Sequence, residues 1–418
     1  MSPGLRFRMV TTFYPPYSYG GDGITVQRLA RALVRAGHDV TVVHDAGAYA
    51  ALGHRMPTGQ LGESDDGIEV VTLHRRHPRL SGLMTHQLGR PMGHAPRLED
   101  VLADGDFDVV HFHNVSLIGG PGALSLAGDA TVLYTAHEHW LVCPTHVLWR
   151  HQREPCPARE CLRCTLRHRR PPQLWRHSTF FDRQLKHVDT FIALSEFSRD
   201  KHREFGFPHA MEVLPPLVSD GAVARGDDEP PLAAPYFLCV GRLEEIKGIH
   251  TVIPLFVADP PADLVIAGAG SQEAELKRLA NGSPHIHFIG QQSPDALRRY
   301  YRHARAHIAA SICFETFGNT VVESLQQGAP VIARRLGPFP ELIDASLGGM
   351  LFTDAEEMRA AVQRLAGDDV LRARMGAAGK RAFEARWSER AVLPRYLEIV
   401  DRARASRRAP SALTPVAT

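Results

Sequence analysis

Short, uninterrupted apolar runs recur along the chain, each followed by a loop and then by a segment of helical period. In the first half they are Arg8 to Thr12, Val40 to His44, Ile68 to Leu73, Asp108 to His113, Thr131 to Thr135 and Asp189 to Leu194. In the second half they are Tyr236 to Val240, Leu264 to Ala267, His307 to Ala310 and Pro330 to Ala333. Runs this short and this apolar suit strands of a parallel sheet covered by helices on both faces. Repeated in both halves, the alternation predicts an α/β protein of two Rossmann-like domains. At 418 residues the chain is long enough for two such cores. The polar, proline-rich stretch 219–235 reads as the linker between them.

Charge is balanced, with 48 Lys and Arg against 46 Asp and Glu, so no global footprint for nucleic acid exists. No apolar run approaches the ~18 residues that span a bilayer, and Met1 to Val10 runs into a strand without a signal-peptide pattern. A cytoplasmic protein is expected. Its six cysteines then read as thiols or metal ligands rather than disulfides.

The chemistry is expected around Ser311 to Leu325. Glu315 lies on a strand-to-helix loop, and Glu323 about one turn inside the following helix. Ligands of open α/β sheets bind at such loops, and the helix start offers free N–H groups to a phosphate. Arg242 and Lys247 flank a loop that leads into a helix expected near Gly248, an arrangement that suits a pyrophosphate. In the first half, the Gly-Gly-Asp-Gly run from Gly20 to Gly23 is either a flexible turn or a close approach of backbone to ligand. Asp106 and Asp108 form an Asp-x-Asp pair, but they precede a strand, the end where ligands do not gather.

Two glutamates at this spacing are common on solvated helix faces. In combination, VGRLEEIKGI (Val240 to Ile249), LVIAGAG (Leu264 to Gly270), ETFGNTVVESLQQGAPVIA (Glu315 to Ala333) and DVVHFH (Asp108 to His113) are far more specific. In this order and spacing the chain resembles the retaining GT-B glycosyltransferases of family 4, whose hallmark is a Glu-x7-Glu pair, over most of its length. The resemblance implies a transferase that takes a sugar from a nucleotide-sugar donor, UDP- or GDP-sugar first among candidates. The acceptor stays open between a polysaccharide, a lipid and a small metabolite. No cofactor or divalent ion is implied for transfer. Implied catalytic residues are Glu315, which would hold the donor sugar, and His137, which follows a strand where family members carry a histidine. Implied donor contacts are Gly21 and Gly23 at the cleft, Arg242 and Lys247 at the diphosphate, Thr316, Phe317, Gly318 and Asn319 through the loop and helix start, and Glu323 at the ribose. The family view also divides the chain: an acceptor-binding domain at 1–218, a donor-binding domain at 236–386, a helix at 387–403 crossing back, and a disordered tail at 404–418. Two motifs depart from the pattern, with Pro215-Pro216 for Pro-Asn-Gly and Gly-Pro-Phe-Pro-Glu (Gly337 to Glu341) for Gly-Gly-x-x-Glu. A GT-B nucleotide-sugar epimerase and a non-catalytic sugar-nucleotide-binding scaffold are the alternatives.

An insertion at about 138–176 carries Cys143, Cys156, Cys161 and Cys164. The last pair has the two-residue separation of a tetrahedral zinc site, and the segment is poor in core residues, which a structural metal could offset. An iron–sulfur cluster would use the same ligands, His139, His146 or His151 could replace one cysteine, and free thiols are the remaining reading. Arg163, Arg167, Arg169 and Arg170 make the insertion basic, either as a solvated face or as a contact for an acidic acceptor or the inner face of an anionic membrane.

Overall fold

The structure is a computed structural model that describes residues 4–18, 20–52, 64–219, 229–257 and 260–408. One parallel sheet takes, in chain order, β1 (Arg6–Val10), β2 (Asp39–Asp45), β3 (Ile68–Arg75), β4 (Val109–Phe112), β5 (Thr131–Ala136), β6 (Thr190–Ala193) and β7 (Met211–Val213). Their spatial order is β7-β6-β5-β4-β1-β2-β3, and two-residue strands at Ser64–Asp65 and His94–Ala95 pair antiparallel with β3. A second parallel sheet takes β8 (Tyr236–Val240), β9 (Asp263–Ala267), β10 (Ile286–Gly290), β11 (His307–Ala309), β12 (Val331–Arg334) and β13 (Gly349–Phe352), in the order β10-β9-β8-β11-β12-β13. Each sheet reverses its winding beside its first strand, between β1 and β4 and between β8 and β11. Crevices open at the carboxyl ends of strands at these two switch points.

Helices cover both sheets. Those that matter here are α1 (Asp22–Arg35), α2 (Pro78–Leu88), α3 (Cys161–Arg167), α4 (Glu196–Glu204), α5 (Asn319–Gln326), α6 (Phe339–Ser346), α7 (Asp369–Arg386) and α8 (Glu389–Arg408). Helix α1 buries Val26, Ala30 and Leu33, spaced for one face, against the first sheet, and the chain leaves it through Gly37 at φ +88°. The strands sit within a residue or two of the apolar runs, with Phe7, Met9, Phe237 and Leu264 fully buried.

Two expectations are corrected. The helix expected near Gly248 is a string of short 3-10 turns, Glu245–Lys247, Ile249–Thr251 and Ile253–Phe256. Gly248 itself is left-handed (φ +69°), a β-branched run follows, and Pro254 removes an N–H that an α-helix would use. A Cβ at Gly248 would stand 2.0 Å from the Ala310 carbonyl oxygen, so the loop is pressed against the end of β11. The last helix also runs to Arg408, beyond the expected end at Ala403. Arg404 pairs with Asp108 at 3.2 Å and Arg407 with Asp189 at 2.9 Å, which fastens the turn that sequence alone assigns to a tail. Asp108 further accepts the Arg6 N–H at 2.9 Å, a structural duty at the end of the sheet away from the crevice. The rest of the expected tail, 409–418, and residues 220–228 of the linker lie outside the described residues.

Helix α8 completes the first sheet's core from the far end of the chain. Its Val392, Tyr396, Ile399 and Val400 pack with Phe7 and Met9 of β1 and Leu133 of β5. The two chain crossings between the sheets touch one another, with the Val218 N–H donating to the Trp387 oxygen at 3.0 Å and a parallel bridge between Val218 and Ser388.

Candidate active site

The two switch points face each other, and the groups singled out in the sequence collect between them. Glu315 follows β11 and Arg242 follows β8, the two strands that flank the reversal in the second sheet. Lys247 Nζ donates to Glu315 Oε1 at 2.6 Å, and Ser311 Oγ to the same oxygen at 2.7 Å. Burial pushes the Glu315 carboxyl up, but Lys247, the Ser311 hydroxyl and Arg242 outweigh it and hold the group below the usual carboxylate range. The loop thus carries a fixed negative charge beside two cations.

Gly318 caps α5, and a Cβ there would meet Leu342 at 2.9 Å and Phe339 at 3.1 Å. Only the missing side chain lets the helix start lie this close to α6. The Phe317 ring is buried with Val321, Val322 and Leu194, so its side chain is core and only its backbone is available to a ligand. Asn319 opens α5, and its buried Oδ1 has no hydrogen-bond partner among the described residues. Gly21, at the start of α1 in the other domain, lies against it: a Cβ on Gly21 would be 3.0 Å from Asn319 Nδ2. Gly23 is turned inward instead, where a Cβ would strike Ser18 and the Phe13 carbonyl, so it shapes the loop and does not face the crevice.

His137 stands at the end of β5. Its backbone oxygen accepts from Thr316 Oγ1 at 2.8 Å, and its ring Nε2 bonds His113 Nδ1 at 2.9 Å. Burial lowers its pKa to about 4, against the pull of Glu138, so the ring is neutral at physiological pH. The His113 ring packs tilted against His111 with centroids 4.0 Å apart, and His111 bonds the Tyr396 hydroxyl at 3.0 Å and Thr135 Oγ1 at 2.8 Å. A line of neutral rings therefore joins α8 to the crevice. Beyond His137, Glu138 Oε1 bonds His146 Nδ1 at 2.6 Å.

The domains are tied across the crevice by contacts that join residues far apart in sequence. Arg28 of α1 reaches Glu323 of α5 at 2.8 Å. Ser195 Oγ donates to the Thr316 oxygen at 2.7 Å, and the Glu341 carboxylate accepts the N–H groups of Glu196 and Phe197, each at 3.1 Å, at the start of α4. Arg28 and Ser195 escape sequence reasoning because their partners lie in the other half of the chain; for Glu341 the altered Gly-Pro-Phe-Pro-Glu motif was the one available signal. Asp22 was also missed, although it lies within the glycine run. It accepts from the Gly23 N–H at 2.9 Å and from Asn114 Nδ2 at 3.1 Å, and burial together with Glu138 pushes its pKa up to about 6. Arg199 turns to its own helix, pairing with Glu196 and with Asp200.

Cys143, Cys156, Cys161 and Cys164 line one small cavity together with Val142, Leu148 and Trp149. All four are free thiols, and burial pushes Cys156 up to about 11 and raises Cys161 and Cys164. Among the described residues no three His, Cys, Asp or Glu side chains are grouped to hold a metal ion. The cysteines are brought to one place but not into the tetrahedral set that the zinc reading requires.

Residues 19–220 match the family model described as Glycosyltransferase Family 4, and residues 224–382 the one described as Glycosyl transferases group 1. The chain is 26% identical over 393 residues to the phosphatidyl-myo-inositol mannosyltransferase of Mycolicibacterium smegmatis, a match covering 89% of each. It is 27% identical over 223 residues to the lipopolysaccharide core biosynthesis glycosyltransferase LpsE of Rhizobium meliloti, covering 51% of this chain and 65%, just under two thirds, of that protein. Among solved structures, sucrose-phosphate synthase from Thermosynechococcus elongatus superposes with a TM-score of 0.72 at 19% identity, over 96% of this chain and 100% of that one. Anabaena HepE in complex with UDP-glucose gives 0.67 at 15% identity, over 95% and 100%. Matched by one family model in each half, and sharing its architecture with solved transferases, the chain is a glycosyltransferase of the group 1 and family 4 kind on the GT-B fold.

Proposed function

We propose that this enzyme transfers a sugar from a nucleotide-sugar donor, a UDP- or GDP-sugar, to a hydroxyl-bearing acceptor with retention of anomeric configuration. The observation that carries this reading is the Lys247–Glu315 pair beside Arg242 at the switch point of the second sheet. There the cations would neutralise the charge that grows on the departing diphosphate, and Glu315 would hold sugar hydroxyls. The N–H groups at Gly318 and Asn319 would take a phosphate oxygen, and Glu323 both ribose hydroxyls. Retention is read as front-face attack, with the leaving phosphate accepting the acceptor's proton. Glu315 is then a positioning and electrostatic group, and His137, neutral, would bond a sugar hydroxyl. Transfer on this scheme needs no metal.

The named relatives support glycan, glycolipid or glycosylated-metabolite synthesis, one acting by its name on phosphatidyl-myo-inositol and another in the lipopolysaccharide core. They favour a transferase over an epimerase or a scaffold. The experiment is thermal stabilisation by UDP-, GDP-, ADP- and TDP-sugars, repeated with Glu323→Ala and Arg242→Ala. A shift by one nucleotide family that disappears in both variants is expected, and no shift by any of them sinks the reading. The anomeric configuration of the product, read by NMR, decides retention.

A further inference from the structure

Helix α2 has its polarity reversed. Ser81 and Thr85 point into the protein, 7% and 0% exposed, while Leu80, Leu83, Met84 and Leu88 face outward at 58%, 48%, 37% and 50%. These four share one stripe of the helix, and a helix normally turns its apolar stripe to the core. Isolated exposed leucines are ordinary, but a contiguous outward stripe marks a contact surface. It continues past the helix end, where Gly89 lies against the Trp175 ring and Leu174 is 67% exposed. Trp175 Nε1 donates to the His86 oxygen at 2.9 Å, which fixes the two segments side by side.

The charge along α2 and its flanking sequence has one sign. Arg76, Arg79 and Arg90 are exposed at its margins, and from Val70 to Leu98 the chain holds no aspartate or glutamate. Arg170, exposed at the end of the cysteine-bearing insertion, lies near His86, whose ring burial and the neighbouring His146 and Arg170 keep neutral. The protein as a whole is nearly neutral at +2, so this concentration is local. His146 bonds Glu138, the residue after His137, which puts the patch next to the first domain's wall of the crevice.

We propose that the outward stripe of α2, with its arginine margin, is the surface by which the enzyme docks on an anionic lipid bilayer. Leucine and methionine would enter the boundary between headgroups and acyl chains while the guanidinium groups meet lipid phosphates. No described helix is long and apolar enough to cross a membrane, so this contact is peripheral. Charge selects the partner. A second copy docked through the same face would bring its arginines against these, a like-charge contact that disfavours an isologous dimer. The proposal is independent of the donor assignment, and it would deliver a lipid-borne acceptor to the crevice.

The test is sedimentation with vesicles of phosphatidylcholine alone and of phosphatidylcholine mixed with phosphatidylglycerol. The wild type is expected to sediment with the mixed vesicles and to be released by high salt. Leu83→Glu with Met84→Glu should weaken binding by about tenfold or more, and Arg79→Glu with Arg90→Glu likewise, with unchanged thermal unfolding and an unchanged nucleotide-sugar shift. No binding to the mixed vesicles, or binding that both variants retain, overturns the proposal. So does a dimer in light scattering that the leucine variant dissolves, which would assign the face to a second copy.

Discussion

The Arg28–Glu323 pair makes a prediction that separates competition from assistance at the donor site. Glu323 is the carboxylate proposed for the ribose, and Arg28 of the opposite domain bonds it at 2.8 Å, with side chains 17% and 21% exposed. On that proposal the ribose competes with the guanidinium for the carboxylate. A pair this accessible is screened and contributes about 1 kcal/mol, which is about a fivefold factor in affinity. Arg28→Ala is expected to bind the nucleoside diphosphate about fivefold more tightly by calorimetric titration. The gain should vanish in a Glu323→Ala background, because the competition needs both partners. Weaker binding by Arg28→Ala would mean that the arginine itself holds the donor, and the competition argument would be wrong.

Lys247→Ala removes the main counter-charge from buried Glu315, so the carboxyl's pKa should rise, the acid limb of kcat/KM should move to higher pH, and kcat should fall by about 100-fold. Lys247→Arg should keep the limb in place, and an unmoved limb in the alanine variant refutes the assignment. Asp22 holds its proton up to about pH 6 in the folded state but releases it below that when unfolded, so its contribution to stability declines as pH rises through this window and stays reduced above it. Asp22→Asn should therefore raise Tm at about pH 8 and lose that advantage by about pH 4; a pH-independent difference counts against the buried carboxylate. Tyr396 is fully buried and bonds His111, so Tyr396→Ala should destabilise the first domain by about 3–5 kcal/mol in urea, and a cost below about 1 kcal/mol would mean that α8 is dispensable to that core.

Strands were legible because a strand covered on both faces leaves an unbroken apolar run, and Phe237 to Val240 or Leu264 to Ala267 admit little else. Glu315, Lys247 and Arg242 were legible because a loop at the end of a parallel strand needs few residues to define it, and the structure brings the three together. The turn after Lys247 was misread because apolar content suggests a helix, whereas Gly248 and Pro254 govern the backbone. Arg28 was invisible for another reason: its partner is 295 residues away, and local pattern carries no information about which surfaces two domains will present to each other. The reversed face of α2 has the helical spacing of a buried one, so only exposure distinguishes them. The four cysteines line one cavity, but spacing could not say whether their sulfurs converge.

Helix α8 imposes an order on the birth of the molecule. Phe7 and Met9 emerge from the ribosome long before Tyr396, Ile399 and Val400, which cover them. The whole second domain is made in between, which at ordinary elongation rates takes on the order of ten seconds or more. For that interval the nascent first domain exposes an apolar strip along β1, and its core closes only when the second domain has already formed. A chaperone that shields this strip would act early on the chain and let go late, and a stop codon anywhere before α8 would release a first domain with an open core.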